Sequence, residues 1–146
     1  MNTPLIDSFV NENLTDNFTL KELLFSDFYS PSNQEKVLVS YYADPSLKQA
    51  ACALAEHLQV IRNYLGCPLS VNIAYRPKWW ELKQGRSGGS KHTKFEAADV
   101  VSDNHAPKEV EEAINFLIKE KKVVKGGLHA YSWGTHTDIR GFNARW

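Results

Sequence analysis

The sequence has few cysteines and carries no net charge. Its 146 residues include only Cys52 and Cys67, a pair that allows at most one disulfide and lacks the close spacing of a cysteine metal site. Buried or half-buried thiols are the better interpretation, since Cys52 lies in a helical apolar stretch and Cys67 precedes a proline. Lysine plus arginine equals aspartate plus glutamate at 17 each, so no global field attracts nucleic acid or anionic lipid. We therefore expect neither nucleic acid nor a membrane among the partners.

Long apolar runs are also missing. No segment approaches the roughly 20 apolar residues that a membrane-spanning helix needs. The first segment, Met1 to Glu12, lacks both the basic region and the apolar region of a secretory signal peptide. We therefore expect synthesis in a cytoplasm without a signal peptide.

Length and apolar content suit a single domain. With 42% hydrophobic residues, the chain can fill one core but is too short for two ordinary domains. We predict one domain over residues 1–146, without internal repeats or linkers. Residues 1–17 are polar and irregular, and we expect them to form an N-terminal arm.

Helix signals occur at three places. The segment Thr19–Glu22 has the form of a capping box and predicts a short helix over residues 20–26. Residues 44–66 begin with Asp-Pro, repeat apolar side chains at intervals of three and four, and stop at glycine, which predicts the main core helix. Another helix begins at Pro107. Residues 27–42 combine turn chemistry with an apolar patch, and their structure is left open.

Strand signals separate these helices. Residues 69–75 alternate with period two and end at Arg76, so this strand delivers an arginine to its end. Residues 97–101 indicate a second, mostly buried strand, and residues 135–139 belong to a hairpin-like final section. Residues 79–90 are expected to form a loop bordering a site. The pattern predicts an α+β fold with a small antiparallel sheet packed against helices.

Four potential metal ligands occur in the strand regions. His92 and Asp99 are seven residues apart, and His136 and Asp138 lie on the same face of an alternating stretch. Zinc in hydrolases commonly takes three ligands from His, Asp and Glu and keeps a fourth position for water. Surface histidines and ordinary hydrogen-bonding aspartates explain the same spacing. The spacing alone therefore leaves both interpretations open.

Several motifs, taken in order, resemble the zinc D-Ala-D-Ala carboxypeptidase family. That family includes vancomycin-resistance dipeptidases and phage endolysins of the L-alanyl-D-glutamate type. The resemblance is carried by Ser90–Val100 and His136–Gly141, and the second segment, with Ala144–Trp146, is similar to the compact branch with H-x-D-x-R-G and a terminal A-R-W. It extends to Phe18–Leu23 and Tyr75–Arg76, so it covers nearly the whole chain.

The resemblance implies a zinc site and a substrate site. His92, Asp99 and His136 would bind Zn²⁺ in a cleft on the sheet. Arg76 would face the substrate, with Ser90 and Tyr75 beside it.

The arginine suits a peptide carboxylate or carbonyl oxygen, which its fork of donors can hold or polarise. A surface arginine covering the strand with its aliphatic stem is the alternative for Arg76.

Four positions depart from the family pattern. Phe95 occupies the turn position that is often glycine, and Ile73-Ala74 replaces the usual serine and glycine. Relatives of the dipeptidase type place an acid three residues before the last histidine, and here that residue is Trp133. The catalytic base is therefore expected elsewhere in the chain.

Two residues are candidates for that base. Asp138 shares a strand face with His136 and would either take a proton from water or orient the ligand. A simple hydrogen bond from Asp138 to Arg140 or to backbone is the alternative. His129 is the second candidate.

The remaining histidines and aromatics match no catalytic motif. His57 and His105 are expected to be structural or exposed. Trp79, Trp80, Tyr131 and Trp133 either line a cleft for a sugar-peptide polymer or fill the core.

The leading hypothesis is a zinc metallopeptidase that hydrolyses D-amino-acid-containing stem peptides of bacterial peptidoglycan, as carboxypeptidase or endopeptidase. The resemblance suggests a phage endolysin or a virion-associated peptidase, which would act from the host cytoplasm on the cell wall or from the virion. A bacterial cytoplasmic enzyme is the alternative. The competing hypothesis is a non-catalytic zinc-binding module, such as a virion component that binds the wall. Oligomeric state is left open.

Overall fold

A computed structural model of the chain describes residues 11–146. Residues 1–10 of the predicted N-terminal arm lie outside this range. Within it, Asn13 forms an isolated antiparallel bridge with Thr19. Among residues 11–146, no helix is long and apolar enough to cross a membrane. The single-domain assignment stays a prediction.

Of the first two helices among the described residues, the sequence predicted one and left the other open. Helix α1 (Leu20–Leu24) begins where expected, with the Thr19 hydroxyl accepting the backbone N–H of Glu22 at 3.2 Å. Helix α2 (Pro31–Tyr42) occupies the segment left open. Its buried side chains, among them Val37 and Tyr41, follow helical spacing, so contact with the core decides the conformation.

The main helix confirms the sequence pattern. Helix α3 (Ser46–Leu65) has the predicted buried stripe and ends at Gly66, whose φ of 70° is left-handed. Helix α4 (Lys78–Lys83) lies where a loop was expected. Its Trp79 ring N–H donates to Ser40 Oγ of α2 at 2.8 Å, a tertiary contact that fixes this short helix.

The sheet contains five strands and confirms the α+β class. A 3₁₀ turn (Lys91–Lys94) precedes the second strand, and a helix that begins at Pro107 follows this strand. The remaining elements are β1 (Ser70–Ile73), β2 (Ala97–Val101), α5 (Pro107–Lys119), β3 (Gly127–Ala130), β4 (Thr135–Asp138) and β5 (Ala144–Arg145). Strand order is β1-β2-β4-β3-β5, antiparallel throughout except for the parallel pair β3 and β5.

The two faces of the sheet have different roles. Val100 of β2 is buried in the same apolar core as Leu58 of α3 and Ile114 of α5. Thr137 of β4 hydrogen-bonds His57 of α3, with 2.8 Å between Thr137 Oγ1 and His57 Nε2. Since side chains alternate along a strand, the neighbours of these residues project from the opposite face. That face carries three of the four candidate ligands, Asp99, His136 and Asp138.

Gly126 lies against the end of β4, so a substitution there tests the packing of the sheet. A Cβ at Gly126 would stand 1.7 Å from the backbone oxygen of Asp138, whereas a Cβ at Gly89 would meet only Ser87 Oγ at 3.7 Å. We expect Gly126→Ala to lower the free energy of unfolding by about 3 kcal/mol, because backbone must move. Gly89→Ala is the control, with a change of about 0.5 kcal/mol at most. Equal denaturation midpoints for both variants would contradict the packing.

His57 makes the stability depend on pH. The side chain is 6% exposed, and burial lowers its pKa to about 4, against the opposing charge of Asp138. As pH falls, His57 is protonated in the unfolded chain before it is protonated in the folded protein. The folded state therefore loses stability between pH 6.5 and 4. From pH 6.5 to pH 4, we expect the free energy of unfolding of the chelator-treated wild type to fall by about 3 kcal/mol more than that of His57→Gln. Denaturant titrations at both pH values measure it; parallel losses would refute a neutral buried His57.

Candidate metal centre

Two neighbouring strands bring the predicted ligands together. Asp99 of β2 lies directly opposite His136 of β4 in the antiparallel register. Residues paired in this way hold their Cβ atoms about 5 Å apart on one face. His92 enters from the 3₁₀ turn before β2. One ligand atom from each of these three buried residues lies within 4.8 Å of the others.

Phe95 makes the turn that returns the chain from His92 into β2. Its φ of 60° is left-handed, which explains why glycine suits this position. The ring is fully buried and stacks on Tyr75 with 5.2 Å between centroids. Packing of the ring therefore holds a backbone conformation that a β-carbon disfavours.

The outer nitrogen of His92 is fixed by the backbone. Nδ1 lies 2.7 Å from the carbonyl oxygen of Ala74, which only accepts hydrogen bonds, so Nδ1 carries the proton. Burial lowers the pKa of His92, although the adjacent Asp99 opposes this shift. The ring is therefore neutral, and its Nε2 lone pair points at Asp99 Oδ1, 3.4 Å away.

His136 is fixed in the same way by a carboxylate. Its Nε2 lies 2.8 Å from Asp138 Oδ2, and its Nδ1 lies 3.1 Å from Asp99 Oδ1. Burial by itself would raise the pKa of Asp138, but hydrogen bonds from His136, Arg140 and the Gly127 backbone lower it well below its usual value. Asp138 is therefore ionised and only accepts, so Nε2 of His136 is its donor.

The inner atoms of the site then face each other as acceptors. Burial opposes ionisation of Asp99, yet the adjacent imidazoles of His136 and His92 lower its pKa well below the usual range. A carboxylate oxygen opposite two imidazole nitrogens needs a positive charge between them. Burial lowers the pKa of His136, but the two carboxylates raise it overall, so a positive charge at this ring is favoured. The donor set therefore fits a cation.

Asp138 does not join this cluster as a fourth ligand. It is 1% exposed and lies on the far side of the His136 ring from Asp99. Its Oδ1 accepts the Gly127 N–H at 2.7 Å, and its Oδ2 accepts Arg140 Nη2 at 2.7 Å. The structure thus favours orientation of His136 over proton transfer, the two roles considered for Asp138.

The second candidate base, His129, lies beside the cavity rather than on it. It is paired with His136 across β3 and β4, and its ring stacks on Trp146 at 5.5 Å and 9°. Trp133 does line the cavity, is 45% exposed, and stacks on Tyr131 at an interplanar angle of 3°.

An open cavity of about 630 Å³ lies over the cluster. Its floor is formed by His92, Asp99 and His136. Of the tryptophans at the start of α4, Trp80 lines it, whereas Trp79 packs against the core.

Arg76 and Ser90 reach this cavity, and Tyr75 does not. The Arg76 backbone N–H donates to the His92 carbonyl oxygen at 3.1 Å, which places the arginine beside the ligand. Ser90 lines the same wall. Tyr75 is buried and packs between Phe95 and Tyr41, so it belongs to the core. This placement corrects the expectation that Tyr75 lines the substrate site.

Glu81 is a site residue that sequence reasoning missed. Its carboxylate is 1% exposed, lies 3.0 Å from Arg76 Nε and accepts the hydroxyl of Ser90. Glu81 therefore fixes the positions of Arg76 and Ser90, the two predicted substrate residues that line the cavity. Nothing in the sequence separates it from the exposed acids, because its segment was expected to be a loop.

Comparison with known proteins agrees with this geometry. The chain matches the family described as Peptidase M15 over residues 18–138, a range that contains every candidate ligand. A search of curated proteins gave no match. The family match confirms the resemblance to the zinc D-Ala-D-Ala carboxypeptidases. This chain therefore belongs to the Peptidase M15 family.

Proposed function

We propose that this protein is a zinc-dependent peptidase that hydrolyses D-amino-acid-containing stem peptides of bacterial peptidoglycan. Membership in Peptidase M15 indicates a metallopeptidase with a peptide substrate. The observation that carries the proposal is the cluster of three acceptor atoms, within 4.8 Å of one another, on the floor of a cavity.

Zinc suits this donor set better than a hard cation. Two imidazoles and one carboxylate are its usual ligands in hydrolases, whereas calcium and magnesium prefer oxygen ligands. The outer partners also match, since zinc-bound histidines donate their second N–H to a carbonyl or a carboxylate. Ala74 and Asp138 provide these two acceptors. Bound Zn²⁺ supplies Lewis acidity toward a peptide carbonyl and toward water.

The side chains of the cavity wall position the peptide. Arg76 lines the wall beside His92, and its charge is balanced by buried Glu81 at 3.0 Å. A guanidinium held in this way donates to a carbonyl or carboxylate oxygen with little loss of side-chain freedom. Ser90 is fixed by the same carboxylate and offers its oxygen to the substrate.

The carboxylates of the cavity favour a second function. Among residues 11–146, Asp99 is the only carboxylate that lines the cavity, and it belongs to the ligand set. Trp133 stands where an acid is expected. A zinc-binding module that recognises wall peptides without cleaving them is therefore the second candidate.

The biological setting follows from the resemblance to the compact branch. We propose a phage-type endolysin or a virion-associated peptidase that acts on the host wall. Both carboxypeptidase and endopeptidase cleavage are compatible with an open cavity.

Metal binding tests the site independently of catalysis. We expect the wild type to bind one equivalent of zinc and His92→Ala to lose it. Asp138→Asn should weaken zinc binding by about 10- to 100-fold, because the outer acceptor of His136 loses its charge. Chelator competition measures the affinities.

The exposed Asp103→Asn serves as the matched control and should bind as tightly as the wild type. Absence of zinc from the wild type would refute the site. An unchanged affinity in Asp138→Asn would refute the orienting role.

Cleavage of purified stem peptides tests the enzyme. We expect the zinc-loaded wild type to cleave them and His92→Ala to be inactive. With zinc saturated, Asp138→Asn should retain turnover, because Asp138 does not touch the cavity. Product chromatography follows the reaction and identifies the bond.

The variants also separate the alternatives. Zinc binding by the wild type without cleavage would establish the non-catalytic module. Loss of turnover in Asp138→Asn at full zinc occupancy would identify Asp138 as the catalytic base. Loss of turnover in His129→Ala, with Asp138→Asn active, would identify His129 as the base.

A further inference from the structure

A second cavity, of about 770 Å³, lies away from the metal centre. It opens between α3, the segment after α5 and the chain that follows β4, and it shares no wall residue with the cavity over the metal ligands. His57 of α3 lines it and contacts Thr137, which projects from the face of β4 opposite to His136. The sheet therefore separates the two cavities.

Apolar side chains from three parts of the fold line this second cavity. Val60 and Ile118 come from the two helices, and Ile139 follows β4. Val124 of the segment after α5 is 53% exposed, although valine is usually buried. Sites for small molecules commonly have volumes of about 300 to 1,000 Å³ and mostly apolar walls with a few polar groups. The volume and the lining of this cavity therefore suit a small, largely apolar ligand.

The charged side chains of the same wall are mainly basic. Three lysines and one glutamate line it, namely Lys121, Lys122, Lys125 and Glu56. All four are exposed, and none of them takes part in an ion pair among residues 11–146. Positive charge therefore exceeds negative charge beside an apolar surface, which favours an anionic ligand.

His57 adds an unpaired polar group to this wall. Its Nε2 lies 2.8 Å from Thr137 Oγ1, whereas its Nδ1 is buried and has no hydrogen-bond partner among residues 11–146. Burial lowers the pKa of His57 to about 4, so the ring is neutral at neutral pH and has one N–H donor and one acceptor nitrogen. When the Thr137 hydroxyl donates to Nε2, the N–H is at Nδ1. A ligand oxygen that accepts this N–H would remove the cost of leaving it unpaired.

We propose that this cavity is a second ligand site, which binds a free carboxylic acid with an apolar chain. The chain packs on the valines and isoleucines of the wall, where burial of each methylene is favourable. The carboxylate meets both polar features, because its oxygens accept the N–H of His57 and its charge attracts the wall lysines. Binding at this site requires neither the metal nor peptide cleavage.

A single small molecule suits the site better than a membrane surface. The apolar side chains line a cavity, whereas a protein that lies on a membrane presents a projecting apolar face to the lipid. The proposed ligand is therefore the free acid rather than a lipid that stays in a bilayer.

Calorimetry with sodium decanoate on the zinc-loaded full chain tests the site. Butyrate lacks most of the apolar chain, and we expect it to bind at least about 100-fold more weakly. Decanol lacks the charge and should bind about tenfold more weakly than decanoate, with a difference that shrinks as salt rises. Decanoate should bind the chelator-treated chain with the same affinity, because the metal centre lies on the other face of the sheet.

Lysine variants assign the preference for the anion to this wall. With all three wall lysines changed to glutamine, decanoate should bind about tenfold more weakly and decanol as tightly as in the wild type. The matched control combines three exposed lysines that lie outside the cavity, in the changes Lys36→Gln, Lys78→Gln and Lys83→Gln. It has the same net charge as the first variant and should bind both probes like the wild type.

The ring of His57 reports where the probe binds. In nuclear magnetic resonance spectra of the wild type, saturating decanoate should shift the ring signals of His57 and leave those of His105, which lies outside the cavity, in place. His57→Gln should weaken decanoate binding by about tenfold, because the ring N–H is lost.

Three outcomes would overturn the proposal. Equal affinity of the wild type for decanoate and decanol would refute an anion site. Unchanged decanoate binding after loss of the wall lysines, or unshifted His57 signals, would refute this location. Sedimentation of the protein with vesicles of anionic phospholipid, dependent on the same lysines, would replace the free acid with a membrane surface, whereas we expect the protein to stay in the supernatant.

Discussion

The structure depends on three buried acceptors that repel one another unless a cation lies between them. His92 and His136 both turn a ring nitrogen toward the same carboxylate oxygen of Asp99, at 3.4 and 3.1 Å. Such an arrangement is costly in a low-dielectric environment. The fold maintains it because the pairing of β2 with β4 and the outer hydrogen bonds of both rings leave no other orientation.

Those outer hydrogen bonds connect the site to the rest of the sheet. Asp138 holds His136, and Arg140 together with the Gly127 N–H holds Asp138. A Cβ at Gly127 would stand 2.2 Å from Asp138 Oδ2, so only glycine lets β3 approach this carboxylate. The aspartate that its strand position made a candidate base instead supports a metal ligand.

A second buried carboxylate organises the opposite wall. Glu81 fixes Arg76 and Ser90 together, and it comes from a short helix that the sequence did not announce. The two supports share one principle: a buried acid neutralises an arginine at the cavity and leaves its position well defined.

The sequence by itself determined the α+β class and the main helix, and its resemblance to a known family named the ligand cluster. Periodicity indicates which residues share a face. The motifs around His92 and around His136 are each short and can be read locally. Only the tertiary structure decided that Asp138 points away from the cavity, that Glu81 is buried behind it, and that Tyr75 belongs to the core. These outcomes depend on which elements become neighbours, and alternation along one strand carries no information about what packs against it.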